Sequence, residues 1–230
     1  MTSLKQKALS AISEQGILLV FPIKNAAQPD SLWAHLWPKI KMRWEWDDSA
    51  DNRVVQLWHL REELSKSKKV VYAKWYQGRA TFFSRPIFTA LLSHFLSEGR
   101  PQTLPVGSRE ILDAFIEDSP QTLKQLRKHP SFDGKRKLDA LLKPLWQRLL
   151  LVGFGEVDDG AFPSLAMGAT SVLFEDLWKD AVKMTEKERG DMLRKSIGED
   201  SPFHKAFKRI YSKVSPQPIA KRSLRYEDLR

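Results

Sequence analysis

Acidic and aromatic residues crowd one short stretch near the start of the chain. Residues 43–64 read RWEWDDSADNRVVQLWHLREEL. Asp47 and Asp48, with His59 further along, are the residue types that orient or deprotonate a water molecule for hydrolysis, and a tryptophan-lined pocket would raise the pKa of such a carboxyl. These three residues are the catalytic candidates of the sequence.

Helix capping is a competing explanation for the same acidic residues. Asp48, Ser49, Asp51 and Asn52 immediately precede a segment that is apolar at helical spacing from Val54 onward. Side chains of these types accept hydrogen bonds from the free N–H groups at a helix start, and every helix start needs such partners. We therefore expect at least one of the four to cap a helix that begins near Arg53.

Tryptophan is concentrated in the same part of the chain, where six of the eight fall within the first 75 residues. Trp44 and Trp46 lie on one face of a short extended segment, so this pair is the candidate for stacking on nucleobases. Tryptophan at strand or helix spacing more commonly buries a large apolar area. We expect most of these rings to be in the core.

Basic residues are in excess, giving a net charge of +10, and the excess is concentrated at the C-terminal end. Residues 194–230 contain ten basic and four acidic side chains. A basic segment attracts polyanions by releasing condensed counterions, although it can also serve only as a solubilising tail. In FHKAFKRIYSKV, residues 203–214, Lys205, Lys208 and Arg209 lie off the apolar face and are candidate nucleic-acid contacts.

A second set of candidate nucleic-acid contacts lies on a predicted helix at residues 135–150. Arg136, Lys143 and Gln147 share its polar face, opposite the leucines, and such side chains reach phosphates and base edges from a helix in the major groove. The acidic residues that follow, Glu156, Asp158 and Asp159, would repel phosphates. DNA docking and a solvated helix face both remain open for this surface.

Metal and membrane functions are disfavoured by composition. The chain has no cysteine, and none of its five histidines is paired at the i, i+4 spacing with which a helix presents two ligands to one metal. We expect neither a metal site nor a cofactor. The apolar run at residues 17–21 is interrupted by Pro22 and is too short for a signal peptide or a membrane span, which favours a cytoplasmic protein.

The predicted elements repeat an order of helix, hairpin and helix. A helix from Arg53, a hairpin turning at Gln77–Gly78 and a helix at 85–97 form the first set. Helices starting at Ser108, at Ser119–Pro120 and at residue 135 then precede a second hairpin, turning near residues 158–160, and a helix at 171–184. Three helices followed by a hairpin is the order of a winged helix.

These elements predict an α+β, mainly helical fold built from tandem winged-helix-like units. A segment rich in glycine and proline at residues 99–107 separates the two sets. The expected domains are residues 1–100, residues 101–184 and a basic C-terminal region at 185–230. Helices beginning at a Thr185–Glu188 capping box and at a second Asp-Ser-Pro, residues 200–202, complete the chain.

Two blocks of sequence resemble the AlkZ-related proteins of bacteria, distant relatives of the AlkZ and YcaQ winged-helix DNA glycosylases. They are KMRWEWDDSADNRVVQLWHLREELSKSKKVVYAKWYQGRATFFSR and LWQRLLLVGFGEVDDGAFPSLAMGAT. The resemblance implies tandem winged helices that cradle duplex DNA. It also implies excision of alkylated or crosslinked bases by a glutamine followed two residues later by glutamine or aspartate.

That catalytic motif is not found at Gln56, Gln77, Gln121, Gln125 or Gln147, and we expect the other glutamines of the chain to lack it as well. We therefore expect the motif to be absent. Duplex DNA binding with weak or no catalysis is the first hypothesis; a DNA glycosylase with a non-standard active site and a protein-interaction scaffold are the alternatives. The sequence does not indicate an oligomeric state.

Overall fold

The computed structural model describes residues 3–44, 51–97, 104–128, 138–158 and 163–214. Within these ranges the chain forms eleven helices and one antiparallel sheet of six strands. The expected α+β, mainly helical class is therefore confirmed. No helix of the described residues is both long enough and apolar enough to cross a bilayer.

The first half of the chain follows the predicted order of elements. Gly16, with a φ of 77°, ends the first helix, and Gln77 and Gly78, with φ of 53° and 76°, form the tight turn of the predicted hairpin. The elements are α1 (Leu4–Gln15), β1 (Ile17–Leu19), α2 (Leu32–Leu36), α3 (Arg53–Lys66), β2 (Val70–Tyr76), β3 (Arg79–Ser84) and α4 (Arg85–Leu96).

The second half contains three helices and then a hairpin, as predicted, followed by helices. Thr185 and Glu188 form the expected capping box, and the Ser201 hydroxyl accepts the His204 N–H at the start of the last helix. The elements are α5 (Val106–Glu117), β4 (Gln121–Thr122), α6 (Leu123–Leu126), α7 (Leu138–Gln147), β5 (Leu151–Val157), β6 (Ser164–Ala169), α8 (Thr170–Leu173), α9 (Glu175–Lys183), α10 (Glu186–Ser196) and α11 (Pro202–Val214).

Two predicted helix starts in this half are wrong. Ser119 does not cap a helix; its hydroxyl accepts the Ala169 N–H at 3.0 Å, and the helix begins at a capping box of Thr122 and Gln125. Ser108 lies inside α5, fully buried, and donates to the Leu141 carbonyl at 2.8 Å. Both serines satisfy buried backbone groups between elements, which sequence spacing alone does not reveal.

The sheet joins the two predicted units. Its strand order is β1-β3-β2-β5-β6-β4, and the hairpins β2–β3 and β5–β6 meet where Tyr72 pairs with Gly153. The hairpins therefore share one hydrogen-bonded layer. The division at residues 1–100, 101–184 and 185–230 stays a prediction about folding units.

The core lies on both faces of this sheet because successive strand residues point to opposite sides. Val70, Tyr72 and Phe82 pack in one cluster with the apolar residues of α1, α2 and α3. Val71 and Phe83 pack in the other, with residues of α4, α5, α7, α9 and α11. The middle strands are thus buried on both faces, which explains their nearly continuous apolar sequence.

The structure answers the question raised by the acidic stretch at the start of α3. The Asp51 carboxylate accepts a hydrogen bond from the Arg53 N–H at 3.1 Å, at the first turn of the helix. Trp33 and Trp75 are buried in the core, and among the described tryptophans only Trp44 is exposed. Three of the seven described tryptophans are buried and three more are half-buried, so the prediction that most are buried holds only in part. The N-cap residue Asn52 makes no side-chain cap hydrogen bond, so the predicted satisfaction of the helix start comes from Asp51.

Candidate functional site

A cleft of about 770 Å³ lies where α7, the β2–β3 hairpin, β6 and α11 meet. Three cationic side chains and one carboxylate line it, with two amide side chains and a partly apolar wall. We call it the basic cleft. Its polar lining residues include Lys74, Gln77, Asp139, Lys143, Gln147 and Arg209.

The helix α7 presents one wall of the basic cleft because its apolar face is fixed in the core. Leu142 and Leu145 are buried, and Trp75 of β2 donates its ring N–H to the Gln147 carbonyl at 3.2 Å. Lys143 and Gln147, four residues apart, lie on the same side of the helix. This anchoring holds both side chains at the cleft.

Helix α11 also lines the basic cleft, because its apolar face is fixed in the core. Phe203, Ala206 and Ile210 are buried against the body, and the Phe203 ring packs edge-on against Tyr76 at 5.4 Å between centroids. The basic edge of the helix therefore faces outward, and Arg209 reaches the cleft. The predicted amphipathic character of this segment is confirmed.

Lys74 enters the basic cleft from the one exposed position of β2, whose other residues are all buried. The pairing of β2 with β3 shifts register between Ala73 and Tyr76, so this lysine sits in a β-bulge. Bulges redirect side chains and occur frequently beside active sites. The redirected side chain lines the cleft with Asp139.

The surroundings of Lys74 change its protonation. Although the residue is exposed to the cleft, burial of part of its side chain lowers its pKa. The Asp139 carboxylate acts in the opposite direction and raises the pKa, whereas the Arg61 charge lowers it further. The net result is a pKa below the ordinary lysine value, so the amine is neutral more often than that of a solvated lysine.

The structure brings together part of the predicted nucleic-acid surface. Lys143 and Gln147 of α7 and Arg209 of α11 line the same cleft, whereas Lys205 and Lys208 are exposed on α11 and do not line it. Arg136 lies outside the described residues. The sequence analysis missed Lys74 and Asp139; the signal for Lys74 is a single charge inside the apolar strand VVYAKWY.

A second, smaller cleft of about 470 Å³ contains the predicted stacking residue Trp44. Trp44 is 57% exposed, and one side of its ring packs on Phe21 at 4.9 Å between centroids. Lys24 and Arg79 line the same cleft. Trp46, the other residue of the predicted stacking pair, lies outside the described residues. Stacking by the pair therefore stays a prediction, although the Trp44 ring is accessible.

The predicted hydrolytic site lies mostly outside the described residues and stays a prediction. Asp47 and Asp48 lie outside them, and His59 is exposed on α3. The described residues include no group of three or more histidine or acidic side chains placed to hold a metal ion.

The predicted acidic wing tip is partly neutralised. Glu156 is not at the tip; its carboxylate accepts hydrogen bonds from Arg61 and, at 3.1 Å, from the Trp58 ring N–H. Asp158 is exposed, and Asp159 lies outside the described residues. Glu156 therefore does not contribute to the repulsion of phosphates that was expected at the wing tip.

Sequence comparison assigns the family. The family described as AlkZ related matches residues 3–210. The chain belongs to the AlkZ-related family. No curated protein and no solved structure shows significant similarity to it.

One segment of this AlkZ-related chain does fit the catalytic pattern of the AlkZ glycosylases. Gln28 is followed two residues later by Asp30, in the order Gln28-Pro29-Asp30, so the expectation that the motif is absent is wrong. The segment lies before α2, outside the two blocks that resemble the family. Its pattern was visible in the sequence.

The structure fixes the Asp30 carboxylate in the segment. One oxygen accepts the Ser31 N–H at 2.8 Å, and the other lies 2.7 Å from Nε2 of His35 on α2. The Asp30 carbonyl accepts the Leu19 N–H of β1 at 3.0 Å. Gln28 and Asp30 also line a small cleft of about 180 Å³ together with Phe203 of α11. The segment is thus held between the sheet and α11.

Proposed function

We propose that this AlkZ-related protein binds duplex DNA in the basic cleft and acts in DNA repair. The observation that carries the proposal is the convergence of three cations from three separate elements, Lys74 of β2, Lys143 of α7 and Arg209 of α11. Nothing in the sequence places these residues together. A cleft lined by cations from independent elements is suited to a phosphate backbone.

The uncharged polar residues of the cleft support the same proposal. Gln77 at the hairpin turn and Gln147 on α7 can donate and accept hydrogen bonds with base edges, while the lysines and arginine contact phosphates without reading sequence. Family membership relates the chain to DNA repair. Both lines favour a DNA ligand over the protein-interaction scaffold.

The arrangement of elements supports tandem winged-helix-like units as the fold that carries this cleft. In each half a helix, a hairpin and a further helix follow one another, as α3, β2–β3 and α4 and as α7, β5–β6 and α8. We propose that α7 is the helix that approaches the duplex. The turn of the first hairpin, at Gln77, then lies beside it in the cleft.

Binding of a short labelled duplex, followed by fluorescence anisotropy at low salt, tests the proposal. Lys143→Ala/Arg209→Ala should weaken binding severalfold because two phosphate contacts are lost. The matched control is Lys179→Ala/Lys187→Ala, which removes the same charge from α9 and α10, away from the cleft. Absent wild-type binding, or equal losses in both variants, would contradict the proposal and favour the interaction scaffold.

Base excision is a second candidate function, and the Gln28-Pro29-Asp30 match favours it. A carboxylate held by the Ser31 N–H and His35 is positioned to stabilise the positive charge that develops on the sugar or to activate water as the glycosidic bond breaks. The Gln28 amide can orient that water. We place a DNA glycosylase activity at these two residues; helix α11 contributes Phe203 to their cleft and Arg209 to the basic cleft.

Release of a methylated base from alkylated duplex tests this second function. Asp30→Asn and Gln28→Ala should each slow release by about 10²- to 10⁴-fold, the range for a lost acid–base group. Asp180→Asn, an exposed carboxylate on α9, should leave the rate unchanged. Retained activity in Asp30→Asn would remove the motif from the function without affecting the binding proposal.

A further inference from the structure

Lys74 has the environment of a reactive amine rather than of a simple phosphate contact. It occupies a β-bulge of a buried strand and lines the basic cleft together with a carboxylate from another element, Asp139 of α7. Lys143, by contrast, lies on the helix α7 and not in a bulge. An amine that reacts as a nucleophile must be both accessible and unprotonated, and the bulge supplies the first condition.

We propose that Lys74 is the nucleophile of an abasic-site lyase activity, acting on the aldehyde form of a deoxyribose that has lost its base. The inference rests on the proposed binding of duplex DNA in the basic cleft. The substrate class follows from the cleft, because Lys143 and Arg209 can hold the phosphates on either side of such a sugar. Lysine amines form Schiff bases with carbonyl groups.

The reaction balances with the groups in the cleft. Neutral Nζ of Lys74 adds to the C1′ aldehyde carbon, and loss of water with uptake of one proton from solvent gives a protonated imine. The Asp139 carboxylate removes a proton from C2′, the C3′–O bond breaks with departure of the phosphate, and the strand is cut. Water then hydrolyses the imine, which frees Lys74 and leaves an unsaturated aldehyde on the sugar fragment.

The surroundings of Lys74 shift its amine towards the neutral form, because its pKa is lowered. Burial is the main cause of the lowered pKa of Lys74, and the Arg61 charge of α3 acts in the same direction. Asp139 is the opposing group and raises the pKa. The same carboxylate is the one placed to take the C2′ proton.

Borohydride trapping on the full chain tests the proposal. The probe is a labelled duplex with one abasic site, incubated with protein and sodium borohydride, and duplex binding is measured in parallel. Wild-type protein should give a covalent adduct that peptide mapping locates at Lys74, and it should cut the strand when borohydride is omitted. Lys74→Arg keeps the charge but cannot form the imine, so the adduct should fall at least tenfold with binding retained.

Two further variants separate this chemistry from binding. Lys143→Ala should weaken binding but give full adduct at saturating protein. Asp139→Asn should keep the adduct and slow strand cutting by about 10²-fold or more, as for a lost general base. Binding without an adduct, or an undiminished adduct in Lys74→Arg, would overturn the lyase proposal alone. Absence of duplex binding by the wild type would overturn the proposed function and this inference together.

Discussion

The guanidinium of Arg61, on α3, hydrogen-bonds the carboxylate of Glu156, on β5, and joins two elements 95 residues apart in sequence. Their side chains are only 10% and 7% exposed, and the Arg61 guanidinium also lies 4.0 Å from the centroid of the Trp58 ring. Trp58 donates to the same carboxylate. Trp58 and Arg61 of the aromatic stretch and Glu156 of the predicted wing thus form a structural junction between α3 and β5.

Replacing one partner of this junction should be strongly destabilising. Glu156→Gln leaves the Arg61 charge buried without its counter-charge, so the free energy of unfolding should fall by about 3–5 kcal/mol. Urea denaturation measures this. The exposed pair Arg85–Asp176 provides the control, since Asp176→Asn should cost at most about 1 kcal/mol. Equal costs for the two variants would show that the junction does not stabilise the fold.

Gly153 should tolerate no side chain. It pairs with Tyr72 where the hairpins meet, and a Cβ at this position would overlap the Tyr72 ring. Gly153→Ala should therefore destabilise the protein by about 1–3 kcal/mol through overpacking. Gly198→Ala, where an added Cβ meets nothing within 4 Å, should stay within about 0.5 kcal/mol of wild type. Thermal unfolding compares the two; a neutral Gly153→Ala would mean that the hairpins do not meet here.

The lowered pKa of Lys74 makes stability depend on pH. Between the folded and unfolded pKa values the unfolded chain binds more protons, so the contribution of Lys74 to stability rises with pH in that window. Below the pKa of the folded state, Lys74 is protonated in both states, and the full cost of partly burying its charge is present. Lys74→Met should therefore raise the melting temperature most at neutral pH, and the gain should shrink towards about pH 10. A gain in melting temperature that does not depend on pH would contradict the lowered pKa of Lys74.

Trp44 should contribute to nucleic-acid binding without contributing much to folding, because its ring is largely exposed. Trp44→Ala should weaken binding of a single strand or an unstacked base by about 1–3 kcal/mol, the range for one base–aromatic stack. Trp44→Phe should retain part of that affinity. Anisotropy titrations with a single-stranded oligonucleotide measure both; an unchanged dissociation constant in Trp44→Ala would make the ring a surface residue only.

Local signals in the sequence predicted most of the elements. Gly16, the Gln77–Gly78 turn and the Thr185–Glu188 capping box act through neighbouring backbone groups, and all three are found as expected. Ser108 and Ser119 also look like caps, but they bond carbonyls and N–H groups of other elements. Tertiary partners of this kind have no signature at short sequence separation.

Part of the candidate site was predictable from the sequence, because local spacing determines which residues share a face of a helix. The shared face of Lys143 and Gln147 follows from helical spacing, and the exposed edge of α11 follows from its amphipathic pattern. Lys74 reaches the cleft through a bulge, and Asp139 meets it only because α7 packs across the sheet. The Gln28-Pro29-Asp30 match, by contrast, was available from the sequence and was missed there.

The salt dependence of duplex binding tests the basic cleft most directly, because each phosphate contact displaces condensed counterions. The measurement is the slope of log Kd against log salt for wild type, Lys143→Ala/Arg209→Ala and the charge-matched control Lys179→Ala/Lys187→Ala. The cleft variant should have a slope smaller by about 1.8, that is, by two contacts, and the control should keep the wild-type slope. A cleft variant with the wild-type slope, or a control that loses as much, would contradict DNA binding in the basic cleft.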